Sequence, residues 1–313
     1  MTDTSSLTNM KDAVMAAIID LGKEHDDVVM LDSDLASCLG SNAFKEKFPN
    51  RFFNCGIAEA NMIGVGAGLS SMGFTPFAHT FGCFASRRDY DQMFISIGYA
   101  GQTLHLIGTD PGVTAQYNGG THMPFEDIAL MRQIPGLTIV EPSDAESCYD
   151  LIKQIYDTKR PSYIRVNRKG IEHRYKRGEA VLGKGIVLNE GKDLTIVATG
   201  ALLVSKAVEA IQILKSKGID ATLIDLHTIR PLDTGLIEKY ATKTKKVLVL
   251  ENGRYCGGIG EMIAGYLTQR IDVRMSFINV GEQFGEVGNI DYLCNTFGFT
   301  VDNIVSKAIA LIK

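Results

Sequence analysis

The chain has 313 residues, of which 45% are hydrophobic and 22% charged, and its formal net charge is -4. This composition excludes a largely disordered chain and leaves room for two globular domains. The weak negative charge and the lack of a basic stripe argue against nucleic acid as a partner, and the lack of a long apolar run argues against a membrane.

In the first half of the chain, short runs of branched and aromatic residues alternate with helical patterns. This alternation predicts an α/β domain, which we place at residues 7–175, with a mostly parallel sheet covered by helices on both faces. Its predicted strands are Val28–Leu31, Phe52–Asn54, Thr75–Ala78, Thr103–Ile107, Thr138–Glu141 and Tyr163–Val166. Its predicted helices are Lys11–Leu21, Ala58–Met72, Arg87–Ala100 and Ser143–Tyr156. Ser143 and Glu146 are predicted to form a capping box on the last of these helices.

Glycines and alternating charges between Lys169 and Lys192 predict a connection between domains. The alternation of strands and helices then resumes, which predicts a smaller second α/β domain at residues 190–313. Its predicted strands are Leu194–Thr199, Ala221–Leu226, Val247–Glu251 and Met275–Val280. Its predicted helices are Leu202–Lys217, Asp233–Tyr240, Gly258–Arg270 and Val301–Ile312.

The cysteines and the first nine residues indicate the cellular compartment. All six stand singly and not in the pairs typical of metal sites, and the first nine residues lack the features of a signal peptide. We therefore expect free thiols in a reducing compartment, a cytoplasmic protein, and no metal ligands on this chain.

One carboxylate, Glu59, follows a short apolar strand and falls in the first turn of a helix rich in glycine and alanine. Ala60, Gly64 and Gly68 recur every four residues, so one helix face is nearly bare backbone, and we expect another element to pack closely against it. An acidic residue at this position commonly only complements the helix dipole. The alternative is a functional carboxyl in a dry interface, where it can bind a basic ring nitrogen.

Aromatic and basic residues follow the strand predicted at Thr75–Ala78. Phe81, Phe84 and Arg87 recur at three-residue intervals. Such aromatics more often belong to a core, yet ligands of open α/β sheets bind at the carboxyl ends of strands. The position of the segment favours a binding role.

A long glycine-rich loop ends in Asn118-Gly-Gly-Thr-His122, just before Pro124, where a helix can start. A lone histidine is usually structural, but the glycines permit a ligand to approach the backbone closely. His122 is therefore the strongest candidate for a polar catalytic residue. Downstream, Arg165 and Arg168 are either surface charges or phosphate-binding groups at a strand end.

Taken together, these segments resemble the C-terminal half of a transketolase, from residue 11 to about residue 313 of this chain. The resemblance implies a pyrimidine-binding domain followed by the transketolase C-terminal domain. The order and spacing of its motifs are jointly specific. They are Gly56-Ile-Ala-Glu59, Thr80-Phe81 with Phe84, Asn118-Gly-Gly-Thr-His122-Met-Pro-Phe-Glu126, Ile134-Pro-Gly-Leu with Glu141-Pro-Ser-Asp144, and Arg230-Pro-Leu-Asp233.

In that family thiamine diphosphate binds between two subunits and mediates transfer of a two-carbon ketol unit from a ketose to an aldose. The resemblance implies that Glu59 contacts the aminopyrimidine ring, that Phe84 stacks on it and that Phe81 lines its pocket. It implies catalytic roles for Glu59 and His122. The further cofactor contacts that it implies are Asp34 and Arg87, and the implied substrate-binding residues are His122, Asn118, Arg165 and Arg168.

The chain lacks the Gly-Asp-Gly motif, with its downstream asparagine, that holds magnesium and diphosphate in this family. It therefore resembles the second subunit of a split transketolase. The resemblance implies an N-terminal partner subunit that carries the magnesium ligands, and an α2β2 assembly built on a dimer of this chain. Alone, the chain is expected to be inactive.

Several positions depart from the family pattern. Asn118 stands where an aspartate is usual, Asp110 falls near a position often held by a phosphate-binding histidine, and Lys11 replaces a frequent arginine. The predicted donor is a phosphorylated ketose, and a branched pentulose phosphate is as admissible as xylulose 5-phosphate.

Three alternatives remain open. The chain also resembles the β subunit of a 2-oxo acid dehydrogenase E1 component and part of a deoxyxylulose phosphate synthase. A non-catalytic assembly subunit is the third alternative. Glu59, Phe84 and His122 in compatible places argue against that third alternative.

Overall fold

The computed structural model describes residues 9–169 and 172–313, which form two sheets with helices packed on them. The strands are β1 Val28–Asp32, β2 Phe52–Asn54, β3 Thr75–Phe81, β4 His105–Thr109, β5 Thr138–Val140, β6 Ser162–Val166, β7 Ile186–Asn189, β8 Leu194–Ala198, β9 Ala221–Asp225, β10 Thr228–Arg230, β11 Lys246–Leu250 and β12 Arg274–Ile278.

Helices connect most of these strands. They are α1 Met10–Glu24, α2 Ala36–Leu39, α3 Asn42–Lys47, α4 Glu59–Ser71, α5 Gly82–Arg87, α6 Tyr90–Gln92, α7 Asp127–Met131, α8 Ala145–Thr158, α9 Gly200–Ser216, α10 Thr234–Thr244, α11 Ile259–Leu267, α12 Ile290–Phe297 and α13 Val301–Ile312. A π-helical segment, Met93–Tyr99, follows α6, and 3₁₀ turns lie at Pro49–Arg51, Gly112–Asn118 and Gly120–His122.

The first sheet has the strand order β10-β5-β6-β4-β3-β1-β2, and all its pairs are parallel except that of β10 with β5. Side chains alternate between its faces. Val28 and Met30 face the core beneath α1 and α8, whereas Val29 and Leu31 face the core on the side of α4. A strand buried on both faces needs an almost continuous apolar run, and such runs allow these strands to be predicted from the sequence.

The second sheet has the order β12-β11-β8-β9-β7 and is parallel except for the edge strand β7. Its strands β8 and β9 are buried along their whole length. Two mostly parallel sheets, the first larger than the second, confirm the predicted α/β fold class.

Four features differ from the prediction. Strand β10 comes from the second half of the chain yet pairs with β5 in the first sheet, and β7 lies within the predicted connection, before the proposed start of the second domain at 190. The helix predicted at Arg87–Ala100 is broken into α5, α6 and the π-helical segment. The capping prediction for α8 was wrong by one residue, because Asp144 caps the helix by accepting from the Ser147 backbone N–H at 2.8 Å, and Ser147 replaces Glu146 in the capping box.

No helix in the described part of the chain is long and apolar enough to cross a membrane. All six cysteines are free, in agreement with their isolated positions in the sequence. Cys83, Cys148 and Cys294 are buried, whereas Cys256 is exposed.

Candidate active site

The candidate site lies at one edge of the first sheet, where the carboxyl ends of its parallel strands meet. Asp34 follows β1, Phe81 ends β3, Asp110 follows β4 and Arg168 follows β6. Glu59 begins α4, shortly after β2. Parallel strand order therefore gathers most of the predicted site residues at the edge where open α/β sheets bind ligands.

Glu59 is buried, with 4% of its surface exposed. The Arg88 Nη1 donates to both carboxylate oxygens of Glu59, at 3.2 and 3.3 Å, and the Thr80 hydroxyl donates to Oε1 at 3.5 Å. At the first position of α4 the carboxylate also lies at the positive end of the helix dipole. The residues of this chain therefore withhold the carboxyl from water, and its cofactor contact stays a prediction.

Three rings form a small aromatic cluster beside this carboxylate. The ring centroids of Phe81 and Phe84 are 6.1 Å apart, and the His122 ring meets Phe84 edge-on at 5.2 Å and Phe81 at 6.0 Å. His122 is half-buried, and its Nδ1 lies 2.9 Å from the Thr121 hydroxyl. The fold thus brings together the two phenylalanines and the histidine that the sequence singled out.

Arg88 connects the carboxylate to the aromatic cluster, and the sequence analysis did not single it out. Its guanidinium carbon lies 3.8 Å from the centroid of the Phe84 ring while Nη1 binds Glu59. A planar, cationic hydrogen-bond donor therefore stacks on one aromatic face and pairs with one carboxylate. An aminopyrimidine ring is also planar and hydrogen-bonding, so the residues present fit such a group.

Asp89 lies next to this pair and is completely buried. In the described part of the chain neither of its carboxylate oxygens has a hydrogen-bond partner. Burial raises the pKa of Asp89 well above its usual value, and the negative charge of Glu59 raises it further. A carboxyl that is stabilised in its neutral form is therefore buried near Glu59.

Arg168 and Asp110 form an ion pair on the other side of Phe81. Arg168 donates from Nε at 3.0 Å and from Nη2 at 2.5 Å to the two oxygens of Asp110, and its guanidinium lies 5.2 Å from the Phe81 centroid. Asp34 is exposed and accepts from the Asn54 amide at 3.1 Å. Asn118 is exposed on the glycine-rich loop. Asp34, Asp110 and Arg168 lie at the carboxyl edge of the first sheet, called the cleft below, and the roles of these residues and of Asn118 stay predictions.

Arg165 is completely buried, which does not fit its predicted contact with a substrate. Its guanidinium donates to Asp127 at 2.8 Å, to Glu141 at 2.6 Å and to the Asn252 carbonyl oxygen at 3.0 Å. All three partners are buried with it, and Asn252 belongs to the second half of the chain. The structure thus replaces the substrate-binding prediction with a structural role between the two halves.

Arg87 holds the glycine-rich loop in place. It forms an ion pair with Glu126 and donates to the carbonyl oxygens of Thr121 at 3.0 Å and Met123 at 3.1 Å. It faces a cavity of 580 Å³ between this loop and Phe284 of the second half. A direct cofactor contact by Arg87 stays a prediction, whereas its contact with the His122 loop is present.

A buried chain of polar groups beneath the cleft was missed in the sequence. Asp32 accepts from the Ser41 hydroxyl at 2.9 Å and lies 3.0 Å from Nδ1 of His79, whose Nε2 lies 3.3 Å from the Thr109 hydroxyl. Asp32 and His79 are paired residues of β1 and β3. The sequence did hold a signal for this group, because polar residues stand at or near the ends of neighbouring parallel strands.

The glycine face of α4 is open within this chain. A Cβ at Gly64 or Gly68 would meet no atom within 4 Å, and both residues are exposed. Only Gly66, on the opposite face, is packed closely, against Leu104. The close contact that we expected at Gly64 and Gly68 is therefore not made by residues 9–169 or 172–313.

In the same described ranges, no group of three His, Cys, Asp or Glu side chains is arranged to hold a metal ion. The Glu59 carboxylate and the Phe84 ring fit the aromatic part of a cofactor.

Comparison with known proteins agrees with this geometry. Residues 7–172 match the model of the transketolase pyrimidine binding domain, and residues 183–304 match that of the transketolase C-terminal domain. A 6-deoxy-6-sulfo-D-fructose transketolase subunit SqwH from Clostridium sp. (strain MSTE9) is 40% identical, over 96% of this chain and 93% of the relative. An apulose-4-phosphate transketolase subunit from Phocaeicola vulgatus is 30% identical, over 95% of each chain.

A solved structure described as a split gene transketolase, inactive beta4 tetramer, superposes with a TM-score of 0.89. It is 33% identical and covers 97% of this chain and 98% of its own. The chain therefore belongs to the transketolase family, and its two halves are the pyrimidine-binding and C-terminal domains of a split transketolase subunit.

Proposed function

We propose that this chain acts in a cytoplasmic, thiamine-diphosphate-dependent transketolase, which transfers a two-carbon ketol unit from a ketose to an aldose in carbohydrate metabolism. One observation carries the proposal: the buried carboxylate of Glu59 and the face of the Phe84 ring together hold a planar hydrogen-bonding group, the Arg88 guanidinium, at a place called the crevice below. When bound, thiamine diphosphate supplies the electron sink for breaking and forming a carbon–carbon bond beside a carbonyl.

The residues of this chain hold and polarise the reacting groups. Glu59 would hydrogen-bond a ring nitrogen of the bound aminopyrimidine, and burial would keep water from competing for that hydrogen bond. Phe84 offers the stacking face that Arg88 now occupies. When Nδ1 of His122 accepts from the Thr121 hydroxyl, Nε2 carries the proton and can donate to a substrate oxygen on which negative charge develops.

We propose that an N-terminal partner subunit supplies the magnesium and diphosphate site in an α2β2 assembly. The open face of α4 supports this proposal, because Gly64 and Gly68 are exposed close to the candidate site. Ile57, two residues before Glu59, is 75% exposed, and Met72, just after α4, is 76% exposed. Apolar side chains at both ends of a bare helix face are suited to burial by another subunit.

The donor is a ketose. The two relatives bear names that specify a sulfonated ketohexose and a phosphorylated ketopentose. Both names agree with a ketose donor and favour transketolase over the dehydrogenase and synthase alternatives.

Reconstitution with the partner subunit tests the proposal. The mixture should catalyse ketol transfer that requires both thiamine diphosphate and magnesium, and the Glu59→Gln variant should abolish turnover while its thermal unfolding stays normal. Glu46→Gln, an exposed glutamate of α3, is the matched control. Full turnover by Glu59→Gln would reject the role of Glu59.

The chain without its partner should bind thiamine diphosphate weakly or not at all. Isothermal titration of the cofactor, with magnesium, onto the purified chain measures this directly. Tight binding by the isolated chain would contradict the proposed division of the site between subunits.

A further inference from the structure

The cation expected to bind a substrate phosphate is already paired. Arg168 uses its Nε and Nη2 edge, the edge best suited to bidentate anion recognition, to bind both oxygens of Asp110. Its Nη1 faces the Cys38 carbonyl oxygen at 3.5 Å. A second anion at Arg168 would therefore have to share the guanidinium with a carboxylate.

Asp110 is fixed in this position by its backbone. Its φ is +60°, in the left-handed region, and its N–H donates to the Val166 carbonyl oxygen at 3.0 Å, two residues before Arg168. Only 3% of its side chain is exposed. The carboxylate cannot turn out to solvent without breaking a buried ion pair, so it stays at the cleft when a substrate arrives.

The other arginines around the cleft are also matched by acids. Arg87 pairs with Glu126, and Arg88 pairs with Glu59. Arg165 lies between Asp127 and Glu141. The cofactor releases Arg88 from Glu59, but Arg88 lies over Phe84, whereas Arg168 lies over Phe81 and stays paired with Asp110. The Arg168 site itself therefore has no surplus positive charge for a dianion.

Lys11 is a further basic candidate at this edge of the sheet. It lies in the first turn of α1, which runs antiparallel to β1 and so begins near the carboxyl edge of the sheet. Residues 9–169 and 172–313 provide no ion pair for it within 4.0 Å. Lys11 adds one positive charge at most, which balances a monoanion.

We propose that the substrate terminus of this cleft selects a ketose whose far end carries at most one negative charge, a sulfonate or a hydroxyl, over one carrying a phosphate. The inference rests on the proposed transketolase function. A phosphate ester carries about -1.5 to -2 charges at neutral pH and would meet the carboxylate of Asp110 beside Arg168. A sulfonate carries one charge and a hydroxyl none, so either avoids most of this repulsion.

Three ketohexoses that differ only in a hydroxyl, a sulfonate or a phosphate at the terminal carbon test the inference. With the enzyme assembled from both subunits, kcat/KM for the sulfonate or the hydroxyl compound should exceed that for the phosphate by about tenfold or more, mainly through KM. A phosphate compound that is the best of the three would overturn the inference. Ketol transfer with any of them supports the proposed function independently of the ranking.

The Asp110→Asn variant removes the carboxylate and keeps a side chain that tolerates the left-handed backbone. It should raise the ratio of kcat/KM for the phosphate over the hydroxyl compound by about tenfold. Glu146→Gln removes the acid of the comparable Arg177 ion pair away from the cleft and should leave this ratio unchanged. An unchanged ratio in a folded Asp110→Asn enzyme would overturn the inference.

Calorimetric titration of the same ketohexoses onto the assembly ranks their affinities without turnover. If no ketose is transferred, the proposed function fails, and the ranking of affinities still decides the inference. Tighter binding of the phosphate than of the sulfonate would then overturn it.

Discussion

Arg88 occupies the place that we assign to the aminopyrimidine, so it should compete with the cofactor. Its guanidinium stacks on Phe84 at 3.8 Å and binds both oxygens of Glu59, yet 48% of its side chain is exposed. A side chain this exposed can leave the crevice at modest cost. Cofactor binding then has to displace it, and the Arg88→Met variant should bind thiamine diphosphate more tightly.

The size of the effect follows from the contacts that Arg88 loses on displacement. An exposed cation–π contact contributes about 0.5–1 kcal/mol, and a half-exposed ion pair about 0.2–1 kcal/mol. The sum, about 0.7–2 kcal/mol, corresponds to a roughly 3- to 30-fold lower Kd in Arg88→Met. Isothermal titration of thiamine diphosphate, with magnesium, onto the assembled enzyme measures this change.

Arg177 provides a matched control. Its guanidinium lies 3.6 Å from the Tyr149 centroid and its Nε donates to Glu146 at 2.8 Å, which repeats the Arg88 arrangement away from the cleft. Arg177→Met should leave the Kd of the cofactor unchanged. An Arg88→Met enzyme with an unchanged or higher Kd would refute the reasoning, because Arg88 would then not compete for the crevice.

Two further predictions concern stability. Arg165→Met should destabilise the chain by about 3–5 kcal/mol, because it leaves the carboxylates of Asp127 and Glu141 buried without a counter-charge; a loss of thermal stability no larger than that of the exposed Arg160→Met would contradict this. Glu251 is 1% exposed, and burial raises its pKa from 4.5 to about 7. The folded state therefore holds the Glu251 proton more tightly than the unfolded state, so this contribution to stability is full below about pH 4.5 and is lost as pH rises to about 7. The free energy of unfolding of Glu251→Gln, measured with urea, should rise relative to that of the original chain by on the order of 3 kcal/mol across that pH range. A difference between the two proteins that does not change with pH would contradict the raised pKa of Glu251.

Much of the site could be predicted because its parts are local. Glu59 follows its strand within a few residues, and Phe81 and Phe84 lie one helical turn apart at the end of β3. Buried parallel strands have apolar runs, and their shared polarity brings their ends to one edge. Fold class and the meeting of Phe81, Phe84 and His122 follow from these local signals.

The rest depends on contacts between distant residues, which no local pattern encodes. Arg165 binds carboxylates 38 and 24 residues away, so its burial could not be told from a strand-end surface charge. Arg88 turns towards Glu59, 29 residues earlier, only because α4 and β3 pack together. Strand β10 has three residues and pairs with β5, about ninety residues earlier, so its short apolar pattern is too weak to predict.

Strand β10 comes from the second half of the chain but belongs to the first sheet, which limits where the chain can be divided. Without Thr228–Arg230 the strand β5 would present an unpaired edge, open to aggregation with other molecules. A truncated product that ends after β6 lacks β10 and should therefore be insoluble. A protease cut between β6 and β7 should leave two fragments that stay associated through β5 and β10. An engineered version therefore has to keep both domains in one polypeptide.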